Sequence, residues 1–391
     1  MQARAPVAGL SGSSAVAPPP GIAICLATCC PQPELFRRQI ESIRHQTRTD
    51  WLCLINDDAT PPDEFRQLCD IVGDDPRFVI EQNPARLGVY QNFERCFERV
   101  PAGVEFVACC DQDDVWYPHK LETLCRHCDA DTTLVYSDMR IVDGDNRVLA
   151  STFWVLRPPN TDDLPSQFLL NTATGTACLF RASLLKTALP FPPQVGPMLH
   201  DHWVGCLAMA QGQLRFVPEP LLDYVQHGKN VVGHQQTPPK TLWQRLAGKF
   251  TTSAAQPGSL AQRTQTVYTR EILPPRLFAG EILRRCPGLP ADKQTNLRRI
   301  ASLDTSVFSL TWLLKRALAG NPKTLNIERR LAFSILWRRA MPWTLQPAPV
   351  QPPRSADLQP PVSHFHPAVT KQPARPVSGS LSHQVTDSVH K

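Results

Sequence analysis

Between residues 21 and 136, short apolar runs alternate with segments whose apolar residues recur at helical spacing. Residues 21–27 (GIAICLA) predict a strand. Residues 33–46 predict a helix with Leu35, Ile40 and Ile43 near one face. The alternation continues with a strand over 51–55, a helix over 61–72 and a strand over 77–80. It ends with a helix over 90–100, a strand over 104–110, a helix opening at Pro118 and a strand over 133–136. Pro118 suits a first helical turn, where no intrahelical partner is needed for its missing N–H. Alternating β and α segments predict an α/β fold, a mostly parallel twisted sheet covered by helices.

The polar positions after these strands change the picture. The second run ends in Asn56, Asp57 and Asp58, the fourth in Asp111, Gln112, Asp113 and Asp114, and the fifth in Ser137 and Asp138. In sheets of this kind ligands bind at the carboxyl ends of the strands. One Asp after a strand is ordinary turn or cap chemistry. Three acids in four positions exceed what a turn needs, and their repulsion calls for a cation or hydrogen-bond donors between them. A metal or ligand site at this edge is therefore expected.

Neither a G-x-x-x-x-G-K-[ST] loop nor a G-x-G-x-x-G helix opening occurs, so no glycine loop of those kinds cradles phosphate. A D-x-D pair instead suits Mg²⁺ or Mn²⁺ with open positions for a diphosphate. That predicts a nucleoside-diphosphate substrate.

Composition sets the surroundings. Pro, Ser and small residues dominate 1–20, and Pro, Gln, Ser and His dominate 346–391; both are expected to be disordered. Residues 1–240 carry 20 Lys/Arg against 28 Asp/Glu, whereas 241–345 carry 17 against 5. An acidic part followed by a basic one predicts two units with different partners. The cysteines sit mostly in apolar runs, as at Cys25, Cys53, Cys109 and Cys110, where they act as small hydrophobes. With no export signal, this favours a reduced, cytoplasmic protein. Cys125 and Cys128, near His119 and His127, have the spacing of half a zinc site but lack a second C-x-x-C; at helical spacing they are expected to face a core. No stretch reaches the roughly 18 apolar residues of a membrane span.

The blocks ATCCPQPELFRRQIESIRHQT, DWLCLINDDAT, NPARLGVYQNFERC and CDQDDVWYPHKLE resemble successive blocks of glycosyltransferase family 2. YSDMRIVDGDN, NTATGTACLF, HDHWVGCLAMAQG and PEPLLDYVQHGKNVVGH continue the resemblance, which covers about 20–235. The DQDD-V-W block is closest to rhamnosyltransferase-like members. The resemblance implies a GT-A fold over 21–240, with a mixed, mostly parallel sheet flanked by helices. It also implies inverting, divalent-cation-dependent transfer from a nucleotide sugar to a glycan or lipid-linked acceptor. By position it implies nucleotide-sugar contacts for Thr28, Asp57, Asp58, Arg86, Asn92, Asp111 and Gln112, and Mn²⁺ or Mg²⁺ binding by Asp113 and His227. Asp57 would meet the pyrimidine, with Asp58 as the near alternative. Asp201 matches the general base, and Gly175 would allow close backbone approach to the sugar or acceptor. The donor is expected to be dTDP-rhamnose, the alternative being a UDP-hexose.

The basic 241–345 segment is expected to be mainly helical. It sets Trp312, Leu313, Leu314, Leu331, Phe333 and Trp337 among Lys315, Arg316, Arg329, Arg330, Arg338 and Arg339. Two roles fit: peripheral contact with an anionic membrane face, or packing on the protein. A non-catalytic scaffold is the alternative of another class. Nucleic acid is not expected, since the segment has no zinc-ligand or RNP motif.

Overall fold

The computed structural model describes residues 20–226 and 260–341; the two expected disordered ends, apart from Pro20, and the 227–259 segment lie outside the described residues. The predicted elements of the first part are present. The strands are β1 (Ile22–Thr28), β2 (Trp51–Asp57), β3 (Phe78–Gln82) and β4 (Phe106–Cys110). The helices between them are α1 (Pro33–Arg44), α2 (Pro62–Val72) and α3 (Val89–Glu98), followed by α4 (Lys120–Arg126). Proline stands in the first turn of α1 and α2. Gly88, at φ 87°, gives α3 its abrupt start.

The remaining strands are β5 (Val115–Trp116), β6 (Thr132–Asp143), β7 (Val148–Ala150), β8 (Cys178–Arg181) and β9 (Gln213–Gln226). They join one sheet in the order β3-β2-β1-β4-β8-β6-β9-β5, with β7 on β6. β1, β2, β3 and β4 are mutually parallel, and β8 is inserted antiparallel between β4 and β6. Every residue of β4 is buried, as a central parallel strand covered on both faces requires. Helices α5 (Leu164–Leu169), α6 (Leu185–Ala188) and α7 (His200–Gln211) follow in the second half.

The strand predicted over 133–136 runs on to Asp143. Ser137 and Asp138 read as a stop, yet both are buried in mid-strand. Asp138 accepts the Thr152 hydroxyl at 2.5 Å and the Phe153 N–H at 3.0 Å. Its charge therefore pins the chain after β7 and does not join the acidic edge.

The described part of the basic segment, from residue 260, is mainly helical and packs on the helices of the first part. Phe278, Ile282, Leu297, Leu313 and Leu331 share one buried cluster with Phe168, Trp203 and Leu207. Lys293 donates to the carbonyls of Met209 and Gly212, and Arg285 to those of Thr187, Ala188 and Pro190. Arg316 bridges Asp163 at 2.7 Å and the fully buried Glu328 at 3.5 Å. The described part of the basic segment thus shares a buried cluster with the helices of the first part.

Candidate active site

The strand order reverses at β1: β2 and β3 lie on one side, β4 and the rest on the other. Loops leaving β1 and β4 diverge and open a crevice at the carboxyl edge. A cavity of ≈ 830 Å³ lies there. Thr28, Asp58, Arg86, Asn92, Asp111, Gln112, Asp113 and Asp201 all line it. His227 falls outside the described residues.

Burial and hydrogen bonding sort these residues. Asp57 is fully buried and does not line the cavity. Its Oδ1 accepts the hydroxyls of Thr28 (2.8 Å) and Thr60 (2.6 Å), and its Oδ2 the Thr60 N–H (2.8 Å) and Gln82 amide (2.9 Å). Four donors fill the carboxylate, which fixes the cleft floor in this structure. Asn92 lines the cavity but is likewise engaged by protein. Its amide donates to the carbonyls of Thr28 and Asn56 and accepts from Asn56 and Asn83, which is its full capacity. Thr28 is buried with its hydroxyl turned to Asp57, so it too braces the floor.

Asp58 remains at the cavity. Its Oδ1 accepts from Leu87 N–H (2.7 Å) and Asn83 (3.2 Å), and its Oδ2 takes only the Gly88 N–H at 2.8 Å. Oδ2 therefore keeps a lone pair for a ligand donor. Arg86 is exposed at the rim. Gln112 accepts the Cys29 N–H at 2.8 Å, closing the acidic loop over the end of β1.

The acidic loop divides in two. Asp111 and Asp113 line the cavity. Burial, then the charges of Asp113 and Asp201, push the Asp111 carboxyl up to about 7. Asp114 points away: it is fully buried and accepts the Val225 N–H at 3.1 Å, fastening the loop to β9. Behind the loop, Lys120 is fully buried, donates to the Thr176 carbonyl and lies 3.7 Å from the Trp116 ring centroid. Burial pushes its amine down to about 7.

Among the described residues no three His, Cys, Asp or Glu side chains gather as a metal cage. Mg²⁺ or Mn²⁺ bound with a diphosphate needs only one or two protein carboxylates, since phosphate and water supply the other oxygens. Asp111 and Asp113, crowded enough to hold the Asp111 proton, fit that role. The crowding has a measurable sign. A carboxyl raised in the folded state adds stability at low pH that is lost as pH climbs through its folded value. Asp111 (about 7) and Asp201 (about 6) both act this way. Lys120, shifted the other way, first contributes above about 7. His200 and His202, lowered to about 3 and 4, act with the opposite sign in this range, so the comparison isolates Asp111: in thermal denaturation in EDTA between pH 5 and 7, the melting temperature of Asp111→Asn is expected to fall less, or rise more, than that of the wild type.

Across the cleft, α7 begins at His200 with Leu199 as its cap, so Asp201 lies in the first turn. There the helix dipole favours its negative charge. Its Oδ2 accepts the Gly175 N–H at 3.0 Å, while Oδ1 has no hydrogen-bond partner. Burial pushes its carboxyl up to about 6, so it is ionised at neutral pH yet able to take a proton. Gly175 meets protein: a Cβ there would lie 2.7 Å from His200 Nε2. His200 is buried against Phe93, ring centroids 3.4 Å apart, and burial lowers it to about 3, so it is neutral. His202 donates to the Gln167 and Phe168 carbonyls.

Sequence reasoning did not find the part of the wall supplied from the C-terminal region. Arg270, Glu271, Pro275, Ile327 and Arg330 line the same cavity. The run Leu273-Pro274-Pro275 was the available signal. Those prolines cannot donate to the carbonyls one turn back, and Tyr268–Ile272 forms a π-helical turn.

The model of the family described as Glycosyl transferase family 2 matches residues 25–189. Over 132 residues the chain is 31% identical to an uncharacterized protein of Sinorhizobium fredii, covering 33% of this chain and 14% of that protein. Over 207 residues it is 28% identical to an uncharacterized glycosyltransferase of Nostoc sp., covering 49% and 61%. The match thus spans less than two thirds of either relative. S. aureus TarS in complex with UDP-GlcNAc superposes with a TM-score of 0.46 at 12% identity, covering 82% of this chain and 92% of that one. The mannosyltransferase PcManGT from Pyrobaculum calidifontis, in complex with GDP-Man and Mn²⁺, gives 0.40 at 14% identity, covering 83% and 90%. The sheet is mixed and largely parallel with its crevice between β1 and β4, and residues 25–189, which supply the acidic loop of that crevice, are similar to glycosyl transferase family 2.

Proposed function

We propose that the protein is an inverting glycosyltransferase that moves a sugar from a nucleotide sugar to a glycan or lipid-linked acceptor. The observation that carries this reading is the pairing of two acidic features across one cleft. Asp111 and Asp113 stand at the switch point of the sheet, and Asp201 faces the same cavity with one oxygen unpartnered. The nucleobase N–H is assigned to Asp58 Oδ2, the ribose to Asp111, and the diphosphate to the side of Asp113, with Arg86 and Gln112 at its edges. Asp113, with Asp111 beside it, would hold Mn²⁺ or Mg²⁺; a bound divalent cation neutralises the charge of a departing diphosphate. The assignment of His227 to the same metal rests on the sequence block alone.

Inversion needs one in-line displacement. The acceptor oxygen forms a bond to the anomeric carbon as the bond from that carbon to the diphosphate oxygen breaks. The acceptor proton passes to Asp201 Oδ1, and the electron pair leaves with the nucleoside diphosphate. Gly175 fixes the other Asp201 oxygen, so the basic one has a single orientation.

For the donor sugar, the DQDD-V-W block favours dTDP-rhamnose over a UDP-hexose. Release of nucleoside diphosphate from a panel of nucleotide sugars tests this. The expected order is dTDP-rhamnose fastest; release from UDP-hexoses as fast or faster rejects rhamnose while keeping the transferase.

The acceptor side carries a surface suited to an anionic lipid face. Val307, Phe308 and Leu318 are exposed on the helix Val307–Ala319, Phe308 at 89%, and Lys315 shares that helix. Arg329, Phe333 and Leu336 are exposed on the next helix, Ile327–Ala340. Apolar side chains interleaved with cations suit the bilayer interface. In flotation, the protein should rise with phosphatidylglycerol vesicles at low salt and much less at high salt. The double variant Phe308→Asp, Leu318→Asp should stay in solution. Wild type that ignores these vesicles at low salt removes the membrane contact from the proposal.

A further inference from the structure

The charge inside the cavity is unevenly divided. The donor half presents Asp58, Asp111 and Asp113 with one cation, Arg86, at the rim. The rest of the lining presents Arg157, Arg270 and Arg330 against Asp201 and Glu271. Arg330 is paired with Glu271 at 2.7 Å. The other two arginines have no carboxylate partner among the described residues. Arg157 donates three of its five N–H groups to the carbonyls of Leu170, Asn171 and Lys323, which leaves its charge unneutralised. Arg270 makes neither a hydrogen bond nor an ion pair among the described residues, and it stands on the π-helical turn Tyr268–Ile272 beside Glu271. Such turns break the regular helical ladder at a cost and occur often at functional sites.

This turn is held firmly against the catalytic part. The backbone carbonyl of Thr269 lies so near Gly196 that a Cβ there would come within 2.6 Å of it, and Gly196 adopts a φ of 62° that suits glycine. The loop bearing Pro197 and Leu199, which leads into Asp201, is thereby set against the residue preceding Arg270. An arginine fork presented at the cavity from a fixed backbone is preorganised for a planar or tetrahedral oxyanion.

We propose that this half of the cavity is an acceptor subsite for an anionic glycan, one carrying a phosphate or a carboxylate. Arg270 binds the anion, and the uncompensated charge of Arg157 favours it from the wall behind. The acceptor hydroxyl is then left facing Asp201. The inference rests on the glycosyltransferase reading for the word acceptor, but the anion preference of the subsite stands by itself.

The test uses the full-length protein and three probes: octyl glucoside, octyl glucuronide and octyl glucoside 6-phosphate. Affinity is read by ligand-observed NMR, with and without a saturating nucleoside diphosphate and Mn²⁺. One or both anionic probes should bind at least about tenfold tighter than the neutral one, the scale of a charge-assisted contact. Comparison of the two identifies carboxylate or phosphate. Arg270→Gln should remove the preference and Arg270→Lys should keep part of it, each checked for folding by its thermal melt. Equal affinities, no binding of any probe, or a preference that survives in Arg270→Gln overturns the proposal. If the wild type binds no nucleotide in the same experiment, the donor reading fails while the anion comparison still decides this one.

Discussion

Asp201→Asn is expected to lower kcat by roughly 10²-fold or more, the scale of lost acid–base catalysis, while leaving donor affinity nearly unchanged. The amide keeps the shape of the carboxylate and an oxygen that can accept the Gly175 N–H, so the start of α7 should hold. What it loses is proton affinity at the one oxygen with no partner. The pH profile separates this role from a structural one. With its carboxyl raised to about 6, Asp201 becomes a competent base as pH rises through that value, so wild-type kcat should climb across it. The residual activity of Asp201→Asn should lack that limb. A folded variant that transfers at the wild-type rate refutes the role.

The second large effect concerns the acidic loop. Asp113→Ala should abolish transfer, and EDTA should do the same to the wild type until Mn²⁺ or Mg²⁺ is restored. Burial first, and then the Asp113 charge beside it, make ionisation of Asp111 costly. A divalent cation reverses that penalty and carries the diphosphate with it. Asp114→Asn, by contrast, alters a buried anchor on Val225, so its effect should appear in stability before it appears in cation dependence. Full activity of Asp113→Ala, or of the wild type in EDTA, rejects the assignment.

Much of this site was legible in residue order. β1 as far as Ala27 and all of β4 are apolar because both faces are covered, and the polar residues that follow have to lie at the edge. That is why DQDD could be set at the carboxyl edge, where its first three residues line the cavity, from residue order alone. What the sequence could not rank was hydrogen-bond saturation. Asp57 and Asp58 are neighbours with the same chemistry, but only the fold brings four donors to the first and three to the second. Asn92 likewise looks like a contact residue until both ends of its amide are counted. Asp138 read as a strand end because Ser-Asp favours turns, yet tertiary partners from Thr152 and Phe153 carried β6 past it. The C-terminal wall was hidden for a different reason. Arg270 and Glu271 lie far along the chain from every motif, and nothing local says which side of a basic helix will meet a distant cleft.

The central claim is that the crevice between β1 and β4 binds a nucleotide sugar through its acidic loop. Calorimetric titration of nucleotide sugars into the wild type and into Asp113→Ala, each with Mn²⁺ and with EDTA, tests it most directly. The account predicts saturable binding of at least one nucleotide sugar to the wild type with Mn²⁺, and loss of that binding in EDTA and in the variant. Binding that is indifferent to both the cation and Asp113, or no binding of any nucleotide sugar, would contradict it.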